Sequence, residues 1–219
     1  NYYKRLAFDE ILASFLVHTE IRKKIKKIKK EKKIFHSNNQ NTIISKLNFE
    51  LTNDQKKTLN EINQDLKSNQ KMFRLLQGDV GSGKTIVALS AAYNVIDSGF
   101  QVAVMAPTEI LARQHYNLAK KIFDQKISIE FLSSKSDYKD KKIIRQKLEN
   151  KEIDIIFGTH SIFQKKIIFK KLGLIIIDEQ HKFGVNQRKM LSDKGGNDCD
   201  VLLMSATPIP RTLTMTIYG

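Results

Sequence analysis

The chain has 219 residues and a mass of 25.2 kDa, enough for one globular domain with an appendage and short for two domains of ordinary size. With 41% apolar and 28% charged residues it can bury a core of its own, which excludes wholesale disorder, a collagen-like fibre and a small disulfide scaffold. A formal net charge of +15 attracts polyanions such as nucleic acid in a salt-sensitive way, although a coding bias toward Lys, Asn and Ile explains such an excess equally well.

The first residue is Asn1 rather than Met and the last is Gly219, as expected of a piece of a longer protein. From residue 3 to about residue 33 the apolar positions Leu12, Phe15, Leu16, Ile21, Ile25 and Ile28 fall at helical spacing without Pro or Gly, predicting a long basic helix. Nine of the twelve residues from Arg22 to Lys33 are basic, which reads as a solvated helical face, with a nucleic-acid flank as the alternative. Residues 36–41 read as a linker, and the chain divides near Phe49. Beyond it, strand-like runs at 73–77, 101–106, 127–132, 153–157, 174–177 and 201–204 alternate with helical patterns. One helix is signalled over 85–96 and closes at Gly99; another runs over 108–123, capped by Thr108 after Pro107. This rhythm predicts an α/β fold with a central, mostly parallel sheet and a ligand site at the carboxyl ends of the strands. No apolar run approaches the roughly 20 residues that span a bilayer. A lone cysteine, Cys199, and the lack of a signal-peptide pattern suit a reducing, cytoplasmic setting.

Gly78-Asp79-Val80-Gly81-Ser82-Gly83-Lys84-Thr85 fits G-x-x-x-x-G-K-S/T directly after one predicted strand and at the start of a helix. Such glycines let backbone N–H groups close around phosphate oxygens, and the helix N-terminus adds favourable potential for an anion. Lys84 should reach the β and γ phosphates, and the Thr85 hydroxyl is the natural Mg²⁺ ligand. A second carboxylate site is needed for that metal, and the apolar run 174–177 leads straight into Asp178 and Glu179. Asp178 would hold Mg²⁺ through the metal's waters, and Glu179 is the candidate base or orienter for the water attacking the γ phosphate.

Further segments add a resemblance. Phe49-x-Leu51-Thr52-x-x-Gln55, GDVGSGKT, PTEILA from Pro107, Gly158-Thr159-His160, Asp178-Glu179-Gln180-His181 and Ser205-Ala206-Thr207-Pro208 follow the order of the first motor domain of superfamily 2 helicases. More narrowly, PTEILARQH, DEQHKFGVNQR and MSATPIPRTL resemble the RecG family of bacterial branched-DNA helicases. The resemblance implies a RecA-like P-loop NTPase domain over 47–219, with 1–46 as a linker helix from an upstream DNA-binding wedge domain. It departs from the family at Lys182, where Arg is usual, and at Leu132-Ser133-Ser134-Lys135, where the family has LTGS.

The resemblance also assigns roles. Gln55 corresponds to the adenine-reading glutamine, with Phe49 placed to pack on the base. Thr108, Arg113, Gly158 and Thr159 correspond to DNA-backbone contacts. Gln180 and His181 correspond to sensors of the γ phosphate, coupled to the DNA side together with Ser205 and Thr207. It implies ATP and Mg²⁺ as cofactors, forks and Holliday junctions as partners, a second RecA-like domain of the same parent chain, no membrane partner and a monomeric, nucleoid-associated motor. The second domain's arginine segment is not in this sequence, so the isolated chain is expected to bind ATP·Mg²⁺ and hydrolyse it poorly. The translocase module of a transcription-repair coupling factor is a neighbouring reading, and a nucleotide-gated DNA-binding module without catalysis is one of another class. His115 falls on an apolar stripe with Leu111, Leu118 and Ile122 and reads as a packed helical residue rather than a ligand.

Overall fold

A computed structural model of the chain describes residues 29–35, 43, 45–47, 49–133, 137–164, 166–179 and 196–206. In chain order these form α1 (Asn53–Lys67), β1 (Phe73–Gln77), α2 (Lys84–Asp97), β2 (Gln101–Met105), α3 (Glu109–Ile122), β3 (Ile129–Leu132), α4 (Tyr138–Glu149), β4 (Ile155–Gly158), a 3₁₀ turn (His160–Phe163), β5 (Leu172–Ile177) and β6 (Asp200–Ser205). The strands make one sheet in the order β1-β6-β5-β2-β4-β3, and every neighbouring pair is parallel.

The apolar runs 102–105 of β2 and 172–177 of β5 leave no face of either strand fit for water, and both strands are buried along their whole length. Alternate residues then serve opposite faces. Val102 and Val104 pack with Leu59 of α1, Leu89 of α2 and Ala119 of α3, whereas Ala103 and Met105 pack with Ile144 and Leu148 of α4 and Ile162 of the 3₁₀ turn. Helix α1 begins with a capping box: the Thr52 hydroxyl accepts from the Gln55 N–H at 3.3 Å, and Gln55 Oε1 accepts from the Thr52 N–H at 2.9 Å. The six expected strands are all present, with ends shifted by up to two residues; α1 and α4 are additions to the two helices signalled explicitly.

The basic segment differs from expectation. Residues 1–28 of the expected helix, and the linker at 36–41, lie outside the described residues. Residues 29–33, the end of the expected helix, are not helical, and Lys29 instead makes an antiparallel bridge with Gln70. Lys30 N–H donates to Asn69 O at 3.0 Å and Lys33 N–H to Leu66 O at 3.2 Å, so the arm lies along the end of α1. Lys30 and Lys33 are not a solvated face either. Both side chains are fully buried and donate to one oxygen of Asp200, at 2.6 and 2.8 Å, while Met72 N–H donates to the other oxygen at 2.7 Å. Lys30 also reaches Asp65 O and Lys33 reaches Asp198 O. Burial lowers the Lys30 ammonium pKa from its ordinary value despite the opposing pull of Asp200. A buried carboxylate with two cations is a tertiary demand that overrides a helical propensity worth tenths of a kcal/mol per residue, roughly 0.5.

Candidate nucleotide-binding site

Because the strands are parallel, their carboxyl ends share one edge, and the sequence-predicted residues within the described range are gathered there or on the helices that begin there. After β1 the loop 78–83 turns into α2 with Gly83 as its N-cap, at φ +81° and with no capping side chain. That left-handed backbone favours glycine, and a Cβ on Gly83 would stand 2.3 Å from Gln55 Nε2. Gln55 reaches the loop directly: its Nε2 donates to Ser82 O at 2.8 Å. The residue expected to read adenine thus also ties the start of α1 to the loop, and exposed Phe49 stands just upstream. Lys84 Nζ donates to Gly78 O at 2.6 Å and to Asp79 O at 2.7 Å, which centres its charge over the loop. Asp79, Val80, Gly81 and Ser82 are exposed, and Thr85 is half-buried at the second position of α2.

Strand β6 lies between the loop strand and β5. Its last residue, buried Ser205, accepts from the Gly78 N–H at 3.3 Å, so the expected coupling segment is bonded to the glycine-rich loop. At the end of β5, Asp178 is 7% exposed and its N–H donates to Met105 O at 2.8 Å. Asp178 Oδ1 accepts from the Glu179 N–H at 2.9 Å. Glu179 itself sits at φ +49°, a conformation costing a non-glycine residue about 1 kcal/mol or more, and it turns the chain sharply after the strand. Gln180, His181 and Thr207 lie outside the described residues.

Among the described residues no group of three or more His, Cys, Asp and Glu could hold a metal ion, so they form no all-protein cage. A hydroxyl at Thr85, fit to ligate Mg²⁺ directly, and a carboxylate at Asp178, fit to accept from the ion's waters, are the hard oxygen groups that suit this ion, which takes its remaining ligands from water and nucleotide phosphates.

The other half of the edge belongs to β2, β4 and β3. Thr108 caps α3 by accepting from the Leu111 N–H at 3.3 Å. Arg113 lies 4.3 Å over the Phe131 ring and 3.4 Å from Glu109 Oε1. Gly158 and Thr159 are buried, with Thr159 Oγ1 3.5 Å from Ser161 Oγ. Among the described residues no helix is long and apolar enough to cross a membrane.

Sequence reasoning placed His115 correctly as a packed helical residue but missed its partner. The buried stripe of α3 is Ala112, His115, Ala119 and Ile122, while Leu111 and Leu118 are only half-buried. His115 Nε2 lies 2.7 Å from Asp178 Oδ2. A polar residue between two alanines was the available signal; nothing in the sequence named the carboxylate.

Residues 52–216 match the family model for DEAD/DEAH box helicases. The chain is 45% identical to the ATP-dependent DNA helicase RecG of Aquifex aeolicus, over the whole of this chain and 28% of that protein. It is 49% identical to RecG of Borreliella burgdorferi over 87% of this chain and 28% of that protein. The chain therefore spans little more than a quarter of these curated relatives. A solved structure of RecG bound to a three-way DNA junction superposes with a TM-score of 0.85 at 41% identity, covering 99% of this chain and 29% of that one. The DEAD-box helicase Mss116 shares the fold, with a TM-score of 0.64 at 21% identity over 84% of this chain and 42% of that chain.

Proposed function

Because this chain belongs to the DEAD/DEAH box helicase family, we propose that it is the ATP-binding half of an Mg²⁺-dependent motor that remodels branched DNA, forks and four-way junctions in repair and recombination. The observation that carries this reading is the strand order. Residues expected to handle ATP follow β1 and β5, the expected coupling residue Ser205 ends β6 between them, and those expected to face DNA follow β2 and β4 beside them. The branched substrate rests on the similarity to RecG, whose solved structure holds a three-way junction.

In this reading the loop N–H groups and the N-terminus of α2 cradle the phosphates, and Lys84 exchanges its bonds to Gly78 O and Asp79 O for phosphate oxygens. Gln55 and Phe49 take the adenine. Thr85 and Asp178 hold Mg²⁺, which when bound neutralises charge on the phosphates. Glu179, turned off the strand by its left-handed backbone, orients the attacking water and accepts its proton. Gln180, His181, Ser205 and Thr207 pass the state of the γ phosphate to Thr108, Arg113, Gly158 and Thr159 on the DNA side. Residues 47–219 form the first motor domain, and 1–46 join it to an upstream DNA-binding domain. A second motor domain of the same cytoplasmic, monomeric protein supplies arginines worth roughly 10³ to 10⁵ in rate.

The test is ATP hydrolysis by the intact protein with forked DNA and with linear duplex of equal length. Lys84→Ala should lower kcat by about 10² to 10³, the scale of one preorganised donor at a developing charge, and leave the melting temperature unchanged. Normal turnover in that variant would overturn the site. Equal stimulation by forked and linear DNA would remove branched DNA as the substrate.

A further inference from the structure

The sheet has a seam between β5 and β2. On one side stand the strands of the nucleotide site and on the other those of the expected DNA contacts. Asp178 N–H donates across the seam to Met105 O, a backbone bond that continues the ladder. A side-chain bond crosses it as well. His115, two turns into the helix that Thr108 caps, sits between Ala112 and Ala119, whose small side chains let α3 lie close to the sheet. From there its Nε2 reaches Asp178 Oδ2 at 2.7 Å, with both side chains almost wholly buried.

An ionised carboxylate only accepts, so the ring nitrogen facing it carries hydrogen and donates. The other oxygen of Asp178 already accepts from the Glu179 N–H at 2.9 Å. Two donors, one from the following peptide and one from a neighbouring helix, leave the carboxylate a single rotation about its terminal torsion. Each oxygen keeps a second lone pair for a water on the metal.

We propose that His115 is the positioning residue of the Mg²⁺ carboxylate, holding Asp178 in the rotation that receives the metal's waters and making that hold depend on where α3 lies. The inference rests on the reading of Asp178 as the Mg²⁺ carboxylate. His115 touches neither nucleotide nor metal and acts only through Asp178. Because α3 begins at the segment expected to face DNA, a shift of that helix along the sheet moves the donor that orients the Asp178 carboxylate.

The experiment uses the intact protein and a fluorescent ADP, whose binding is followed first without metal and then through a Mg²⁺ titration. His115→Leu fills the volume without a donor, and His115→Gln keeps an N–H at a similar reach. Groups that hold a metal's ligands from outside the coordination sphere are worth roughly 10- to 100-fold in affinity; Asp178 is such a group for the metal's waters and His115 acts through it, so His115→Leu should raise the half-saturating Mg²⁺ by about tenfold. Its metal-free ADP affinity should not change. His115→Gln should return the Mg²⁺ midpoint close to the parent value, a rescue that a purely packing role would not give. Melting without Mg²⁺ certifies the fold, and His115→Ala replaces the leucine variant if that one does not fold. An unmoved midpoint in the folded donor-less variant, or a glutamine variant no better than leucine, overturns the proposal. Asp178→Asn separates the two readings. If it leaves the midpoint unmoved, the metal assignment fails; if it shifts the midpoint and His115→Leu does not, only the role of His115 fails.

Discussion

Cys199 immediately precedes the buried Asp200 and is itself 1% exposed. Burial pushes its thiol up to about 12, with the negative charge of Asp200 adding to the shift and nearby Lys71, Lys33 and Lys30 opposing it. A thiol with a raised pKa keeps its proton in the folded state where the unfolded chain has lost it. Its contribution to stability is therefore intact below the ordinary value of 9.0 and is lost as pH rises toward about 12. The reactive thiolate is scarce at neutral pH and access is closed, so alkylation of Cys199 should require local opening. Peptide mapping after iodoacetamide treatment should find Cys199 unmodified in the native protein and fully modified in urea. Native labelling at the rate of a free thiol would contradict the burial around β6.

At the scale of elements, close approach sets limits that a motif conceals. Gly158 closes β4, and a Cβ there would stand 2.6 Å from Leu132 O on β3 and about 3.1 Å from Ile162. Gly158→Ala should therefore displace the edge strand and destabilise the fold by about 1 to 3 kcal/mol, as overpacking does. Urea unfolding measures this, and unchanged stability with weakened DNA binding would show that the glycine serves the ligand instead. Much at this scale was legible in the sequence. β2 and β5 are apolar at successive positions, as strands buried on both faces must be, and the glycine-rich loop announced both the end of β1 and the start of α2. Strand order was not legible, because periodicity tells which face a residue serves and not which strand lies beside it. The bond from His115 to Asp178 joins residues 63 apart and depends on that order. Residues 29–33 were misread for a related reason: local spacing suggested helix, and the deciding partner, Asp200, lies some 170 residues away.

For the whole molecule the same carboxylate matters most. Asp200 joins the arm to the sheet through two buried lysines, and removing one partner of a buried charge group costs about 3 to 5 kcal/mol. Asp200→Asn should cost at least this much at neutral pH, since it leaves two ammonium groups facing each other. Burial already lowers the Lys30 pKa, so the folded state binds fewer protons than the unfolded chain between that lowered value and 10.5. Stability of the variant should accordingly recover as pH rises toward 10.5, the sign opposite to that at Cys199. Urea midpoints at neutral and alkaline pH check this, and a loss indifferent to pH would exclude charge as its cause. Asp200 opens β6 and Ser205 closes it, five steps or roughly 17 Å away, where its carbonyl holds Gly78 of the glycine-rich loop. β6 is thus a tie rod with the upstream arm fastened at one end and the glycine-rich loop at the other. Tension on the arm loads it lengthwise, so the hydrogen bonds to β1 and β5 on either flank resist together in shear rather than opening one at a time.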